Sequence, residues 1–222
     1  MRRKNNLRGS GSPPSEFLDD QIEDAGVVAF DFDGTITVRD SFTSFLKWRA
    51  GRSRYMAGML RLAPAGLSYL GHQNRGRIKA AATREFLAGV SREQLENEAK
   101  AFAQNLAPRL LRGDALSTWK RWRTRRAKLV IVTASPDIIV APFARGLGAD
   151  ALIATELHFD ANDRATGGFS TPNCRGQEKV RRLREMFGDD LQLKAAYGDT
   201  SGDKDMLKIA DHRGYRVFKD RP

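Results

Sequence analysis

The stretch Val27-Val28-Ala29-Phe30-Asp31-Phe32-Asp33-Gly34-Thr35-Ile36-Thr37 decides how the rest of the chain is read. It opens as an unbroken apolar run, the pattern of a strand buried on both faces of a parallel sheet. Two carboxylates, Asp31 and Asp33, follow where that strand should end. With a two-residue period they project to one side, and open α/β sheets bind ligands at the carboxyl ends of their strands. Two close anions repel each other unless a cation or a reaction offsets them. Gly34 permits a sharp turn or a close backbone approach, and Thr35 adds a hydroxyl beside the acids.

C-terminal to this strand the pattern turns helical and stays so to about residue 117. Phe42, Phe45 and Leu46 fall at helical spacing behind Ser41, a suitable N-cap. A second apolar stripe occupies positions 56, 59, 60, 63, 67 and 70, interrupted by Pro64. Helices over 77–87 and 94–105 follow, the latter behind Ser91 and Gln94 at capping-box spacing. This is far longer than a strand-to-helix connection needs, so it reads as an inserted helical cap.

An alternating pattern then resumes. Helices are expected over 115–126, 136–145, 177–187 and 203–210, and strands over 128–133, 151–155, 193–197 and 215–218. A hairpin spans 156–170, with Asn162-Asp163 and Gly167-Gly168 as turns. The fold class is α/β, a doubly wound, mostly parallel sheet with an inserted helical cap. Residues 25–39 and 118–222 form the core and 40–117 the cap. Residues 1–24, rich in Gly, Ser, Pro and charge, form a flexible tail with one short helix over 15–22.

The net charge of the 222-residue chain is +11, which suits an anionic partner or simply solubility. One cysteine, Cys174, excludes an intramolecular disulfide and suits a reducing compartment. Its neighbours read as a loop before a helix, so it is taken as a plain thiol. No apolar run is long enough to span a membrane, and Arg2, Arg3 and Lys4 have no apolar segment behind them. A cytoplasmic location follows as the expectation.

Three further places complete a chemical pattern. Thr133-Ala134-Ser135-Pro136 ends the second strand and leads into a helix N-terminus, where backbone N–H groups favour a phosphate. Lys179 lies early in a helix, where a cation is unusual. Tyr197-Gly198-Asp199-Thr200-Ser201-Gly202-Asp203 places two more acids beyond a strand end. Acidic oxygen ligands with no nearby His or Cys suit Mg²⁺.

In this order the four motifs resemble those of the haloacid dehalogenase-like phosphohydrolases, from Val27 to the C-terminus. The resemblance implies that Asp31 is a nucleophile forming an aspartyl-phosphate; an ordinary carboxyl pKa of about 3.9 would leave it ionised. Asp33 would act as general acid and then base. Thr133, with Gly34, Ala134 and Ser135 around it, would bind the phosphoryl group. Lys179 would bind the substrate phosphoryl group and neutralise its charge and that of Asp31. Asp31, the Asp33 carbonyl and Asp199 would hold Mg²⁺, and Asp203 would fix the outer shell of that site.

A helical cap at this point resembles the branch that contains phosphoserine phosphatases. There a Glu nine residues past the nucleophile meets the substrate amine; here that place is Asp40, and the second motif reads Thr-Ala-Ser-Pro. The strings Asp40-Ser-Phe-Thr-Ser-Phe-Leu, Thr-Ala-Ser-Pro and Arg175-Gly-Gln-Glu-Lys resemble more closely a bacterial subgroup that includes phosphatidylglycerophosphatase C. A phosphomonoester is the implied substrate, either a lipid phosphate or a small soluble metabolite. A non-catalytic binding module on the same scaffold is the competing class, disfavoured by the paired acids.

Residues 47–79 hold eight Lys/Arg and no acid around the stripe Met56, Met59, Leu60, Ala63, Leu67, Leu70. A basic amphipathic segment suits an anionic membrane, here the inner surface. The same pattern also suits a helix packed on its neighbours with its arginines in water. A second basic cluster over 120–128, with Trp119 and Trp122, has the residue types of a nucleic-acid site. It lies on a helix entering a core strand, so a solvated face is expected and nucleic acid is not. Substrate identity and oligomeric state stay open at this level.

Overall fold

The computed structural model describes residues 26–72 and 75–222, with the side chains of 63–72 and 75 outside the description. The expected tail over 1–24, its short helix, and the cap side chains of Ala63, Leu67 and Leu70 lie outside the described residues.

Strand β1 (Val27–Phe30) leads through a tight turn over 32–36 into α1 (Ser41–His72), α2 (Arg75–Leu87) and α3 (Arg92–Leu110). Then come α4 (Gly113–Thr124), β2 (Lys128–Pro136), α5 (Asp137–Gly146) and β3 (Ala151–Thr155). A hairpin of β4 (Leu157–Phe159) and β5 (Ala165–Phe169) precedes α6 (Gln177–Phe187), β6 (Leu193–Gly198), α7 (Lys204–Lys208) and β7 (Ala210–Tyr215).

The main sheet has the order β3-β2-β1-β6-β7 and is parallel throughout. β1 is its central strand, and all four of its residues are buried, as its unbroken apolar run requires. Two apolar layers cover the sheet. One contains Val28, Phe30, Leu129 and Ile131, the other Ala29, Val130, Val132 and Leu183. Phe30 stacks on Tyr197 with ring centroids 4.5 Å apart and lies 5.0 Å from Trp119. Trp119 is buried, and Trp122 donates its indole N–H to the Tyr197 hydroxyl at 2.9 Å. Both tryptophans of the second basic cluster therefore serve the core, as expected for a solvated helix face.

The three inserted helices leave and rejoin the core through two antiparallel segments, held by Val38 N–H to Leu110 O at 2.8 Å and Arg112 N–H to Ile36 O at 2.9 Å. The hairpin clasps them from the other side: Gly89 N–H donates to Ala165 O and Ala165 N–H to Val90 O, both at 2.8 Å.

Several local expectations are corrected. Asp40, not Ser41, caps α1: the helix begins at Ser41 itself, which leaves Asp40 in the N-cap position, and Thr43 N–H donates to its carboxylate at 2.6 Å. The long helix breaks at Gly51 (φ +69), and its backbone continues through Pro64. Glycine opens the left-handed region at little steric cost, whereas a proline removes only one helical hydrogen bond. Ser91 caps α3 through Gln94 N–H at 3.3 Å, while the Gln94 side chain turns to Glu98 instead of closing a capping box. Gly167-Gly168 is strand rather than turn. Gly167 packs on α2, where a Cβ would lie 2.6 Å from Arg84 Cα. The last strand is β7, and it ends at Tyr215, where the expected 215–218 strand would begin. Its sequence Ala-Asp-His-Arg-Gly-Tyr has little strand character, and the parallel register Leu193↔Ala210 to Gly198↔Tyr215 holds it as an edge.

Candidate active site

The order of the sheet reverses between β1 and β6, and the carboxyl ends of these two strands carry the acids. Such a switch point leaves a crevice above the strand ends. Asp31 directly follows β1, and its N–H donates to Tyr197 O at 2.9 Å. Asp33 follows in the turn, and Gly34 takes φ +82. A Cβ on Gly34 would lie 2.9 Å from Asp199 Cγ, so only glycine lets the turn press against the second acidic loop.

Lys179 joins the two loops from below. It is 1% exposed and donates to Asp31 Oδ1 at 2.6 Å, Asp203 Oδ1 at 2.7 Å and Val132 O at 2.6 Å. Its placement early in α6 is thereby explained by buried partners rather than by the helix dipole. Asp203 is held on its other oxygen by Thr200 N–H and Thr200 Oγ1, both at 2.8 Å, and by Asp199 N–H at 3.2 Å. Thr35 Oγ1 bridges Asp31 Oδ2 at 3.1 Å and Asp199 Oδ1 at 3.4 Å. Asp33 is fixed by Ser135 Oγ at 2.5 Å, Ser41 N–H at 2.6 Å and, more loosely, Thr133 Oγ1 at 3.4 Å.

Burial decides the protonation of these groups. Asp31 is pushed up to about 7, chiefly by desolvation, with the Lys179 charge pulling down and Asp203 and Asp33 pushing up. The expectation of an ordinary, fully ionised carboxylate is therefore corrected. Asp33 is raised by burial and by Asp40 beside it, against its bonds to Ser135 and Ser41. Asp199 is raised by burial and by Asp203. Burial also pulls Asp203 upward, but Lys179 and the Thr200 hydrogen bonds outweigh it and hold the group low.

Asp31, Asp199 and Asp203 each bring a carboxylate oxygen within 4.8 Å of the others. Both Asp203 oxygens already accept bonds from Lys179 and Thr200, which leaves Asp31 and Asp199 as the better ligands. Two acids whose ionisation is disfavoured by burial, presenting hard oxygen donors on one cavity, fit a hard divalent cation such as Mg²⁺.

The site opens into a cavity of about 640 Å³. Asp31, Asp33, Gly34, Asp40, Thr133, Ala134, Lys179, Asp199 and Asp203 all line it. Ser135 is buried behind them, holding Asp33. The wall above the acids is apolar, formed by Phe42, Leu46, Tyr55, Met59, Leu62 and Ile78. Asp40 belongs to the cavity rim, although one of its oxygens is engaged as the α1 cap. Cys174 is buried with its thiol pushed up by desolvation, as suits a plain packing residue.

Ser41 and Lys79 are site residues that the sequence reading places elsewhere, Ser41 as a helix cap and Lys79 in the basic block of the cap. The Ser41 contribution is a backbone N–H, which no residue-type pattern reveals. Lys79 carries a readable signal: with Ala82, Thr83, Phe86 and Leu87 it lies on one face of α2, and those four are buried. Its Nζ donates to Ala134 O at 2.5 Å.

An α/β sheet of Rossmann-like order, with lysine-bridged acids at its switch point and helices over them, defines a class of hydrolase site. The match to the model of haloacid dehalogenase-like hydrolases over residues 28–208 gives that class its name, and the chain belongs to this family. It is 60% identical over 196 residues to Protein CicA of Caulobacter vibrioides (strain NA1000 / CB15N), covering 88% of each chain. It is 26% identical over 191 residues to a probable phosphatase of Mycobacterium tuberculosis, covering 82% of this chain and 66% of that one. A substrate-bound phosphoserine phosphatase structure aligns with a TM-score of 0.59 at 20% identity, over 85% of this chain and 84% of the other, a likeness of fold.

Proposed function

We propose that the protein is a Mg²⁺-dependent phosphomonoester phosphatase that works through an aspartyl-phosphate on Asp31. The observation that carries this reading is the pairing of Asp31 and Asp33 on one cavity, each held by different partners. Asp31 is fixed by Lys179 and Thr35, Asp33 by Ser135 and Ser41. Two acids held in separate environments suit two separate roles.

In the first step a carboxylate oxygen of Asp31 bonds to phosphorus as the ester P–O bond breaks. Asp33, whose burial and whose neighbour Asp40 favour the protonated form, gives its proton to the leaving oxygen. Asp33, now a carboxylate, then takes a proton from water, whose oxygen attacks the same phosphorus and releases phosphate and Asp31. Thr133 and the backbone around Ala134 and Ser135 orient the phosphoryl oxygens. Mg²⁺, held by Asp31, the Asp33 carbonyl and Asp199, would supply charge neutralisation and favour the ionised form of Asp31. In this reading residues 40–117 are the cap, 25–39 with 118–222 the catalytic core, and 1–24 a tail.

The test is phosphate release from p-nitrophenyl phosphate with Mg²⁺, for the native protein and for Asp31→Asn. Turnover that survives Asp31→Asn would refute the covalent route, and no turnover by the native protein would favour a binding module.

One observation favours a lipid phosphate, such as phosphatidylglycerophosphate, over a small phosphoserine-like metabolite. The apolar cavity wall reaches the surface at Met59, 40% exposed, beside Met56 at 55% and Leu60 at 72%. Contact with an anionic inner-membrane surface, by a protein otherwise in the cytoplasm, would go with it. No helix among the described residues is long and apolar enough to cross a membrane. The basic block is smaller than it reads, however. Arg54 and Arg61 hold Glu85, Arg49 holds Glu98, and Lys79 turns inward. Sedimentation with phosphatidylglycerol vesicles, and its loss in Lys47→Glu/Arg52→Glu, tests this surface, because both residues are exposed. Equal sedimentation of the variant, or none by the native protein, leaves the soluble metabolite.

A further inference from the structure

An ammonium has three N–H donors, and Lys179 uses all of its own within the protein, on Asp31, Asp203 and Val132. It offsets the charge of Asp31 but has no donor left for a phosphate, which corrects the expectation that Lys179 contacts the phosphoryl group directly. Two other cations line the cavity, Arg175 and Lys79. Arg175 donates to Ser201 Oγ at 2.8 Å and lies against Gly202, where a Cβ would come 2.6 Å from its Nη1. It is thus held against the core loop. Lys79 arrives from the opposite side, on α2, above the Phe42 ring at 5.8 Å from its centroid. Among the described residues its ammonium makes one hydrogen bond, to the carbonyl of Ala134, between Thr133 and Ser135.

Lys79 therefore brings two remaining donors to the cavity, at the loop that orients the phosphoryl oxygens. Its charge lies within reach of Asp33, Asp40 and Asp31, and burial pulls its pKa below the ordinary lysine range. A cation half-buried on the apolar face of a helix is costly unless an anion offsets it. Its hydrogen bond goes to a carbonyl rather than to any of those carboxylates, so its two other donors are open to a phosphate.

We propose that Lys79 is a substrate-binding residue that donates to a phosphoryl oxygen from the cap side, so that the inserted helices recognise the phosphate itself as well as the body of the ester. The inference rests on the phosphomonoester reading above, and it assigns to the cap the direct cationic contact that Lys179 cannot make.

The test uses the full chain with Mg²⁺, and inorganic phosphate as the probe, titrated by calorimetry and as an inhibitor of p-nitrophenyl phosphate turnover. Lys79→Met should weaken phosphate binding and raise KM by a common factor of about ten- to a hundredfold, the worth of one charge-assisted hydrogen bond. The fall in kcat should be much smaller. Lys79→Arg should restore most of the loss. Lys79→Gln keeps a donor for Ala134 without the charge and should behave as Lys79→Met does; it carries the test if the methionine variant fails to fold. A merely structural strap would lower the melting temperature and leave phosphate affinity unchanged in the variants, and that result overturns the proposal. Lys79-dependent phosphate binding without hydrolysis of any ester would uphold the proposal and sink the phosphatase reading. Hydrolysis with KM and phosphate affinity unchanged in both variants would do the reverse, and no phosphate binding by the native protein sinks the proposal.

Discussion

Replacing Lys179 by methionine removes the cation that bridges Asp31 and Asp203. The side chain is 1% exposed, and its two acidic partners are 6% and 1% exposed, so solvent screens the pair weakly. Methionine fills a similar volume, and the loss is therefore mostly electrostatic: two carboxylates and the Val132 carbonyl lose a charged donor at 2.6–2.7 Å. Breaking a buried ion pair by deleting one partner costs about 3–5 kcal/mol. At roughly 2–4 °C per kcal/mol for a domain of this size, the melting temperature should fall by about 6–20 °C. The loss should depend on pH with a definite sign. Without the lysine, burial and mutual repulsion raise both carboxyls above their unfolded values, so the folded variant binds extra protons. Its stability is then fully present at low pH and is lost as pH rises through the folded values. The gap to the native protein should narrow near pH 5 and widen by pH 8. Urea denaturation at the two pH values, in chelator, measures both quantities. A loss below about 1 kcal/mol, or one equal at pH 5 and pH 8, would refute the buried-pair argument.

Other outcomes follow from the same geometry. In metal-free protein, Asp31 sits at about 7 when folded against 3.8 as a free carboxyl. Stability should therefore fall as pH rises from 4 through 7, by up to roughly 1.4 kcal/mol per pH unit; Asp31→Asn should remove this slope, as seen in urea midpoints across that range. Mg²⁺ should flatten the same slope and release protons on binding, which calorimetry in buffers of different ionisation enthalpy detects; proton-free binding would contradict the assigned ligands. Gly34→Ala forces a Cβ onto Asp199 at φ +82 and should destabilise the protein by more than about 1 kcal/mol while reducing Mg²⁺ affinity. An unchanged midpoint and affinity would show that the two loops are not in such close contact. Ser135→Ala removes the 2.5 Å bond to Asp33; kcat/KM should fall about ten- to a hundredfold, with its alkaline limb moved to higher pH, because the protonated acid is then favoured.

Much of the fold is legible in the chain. The apolar run of β1, the buried run of β2 and the alternation of strands and helices follow from side-chain periodicity, which is a local property. The acids at 31, 33, 199 and 203 and the hydroxyls at 133 and 135 are legible from their order and their places at strand ends, and the lysine at 179 from its unusual place early in a helix; the structure brings them to one end of the sheet. β7 is not legible: Ala-Asp-His-Arg-Gly-Tyr becomes a strand only because β6 offers it a ladder. Nor is the cap of α1 legible, since Asp40 and Ser41 are both good N-caps and backbone geometry chose between them.

By itself the sequence determined which groups are present and along which element each is carried, because those depend on residue type and spacing. Only the tertiary structure decided what those groups experience. Burial takes Asp31 from an ordinary carboxyl to about 7. Packing commits all three donors of Lys179 to the protein. The return of α2 over the sheet brings Lys79 to Ala134, a residue 55 positions away. Desolvation and long-range pairing depend on which atoms exclude water and which face one another, and neither is written into the spacing of residues along the chain.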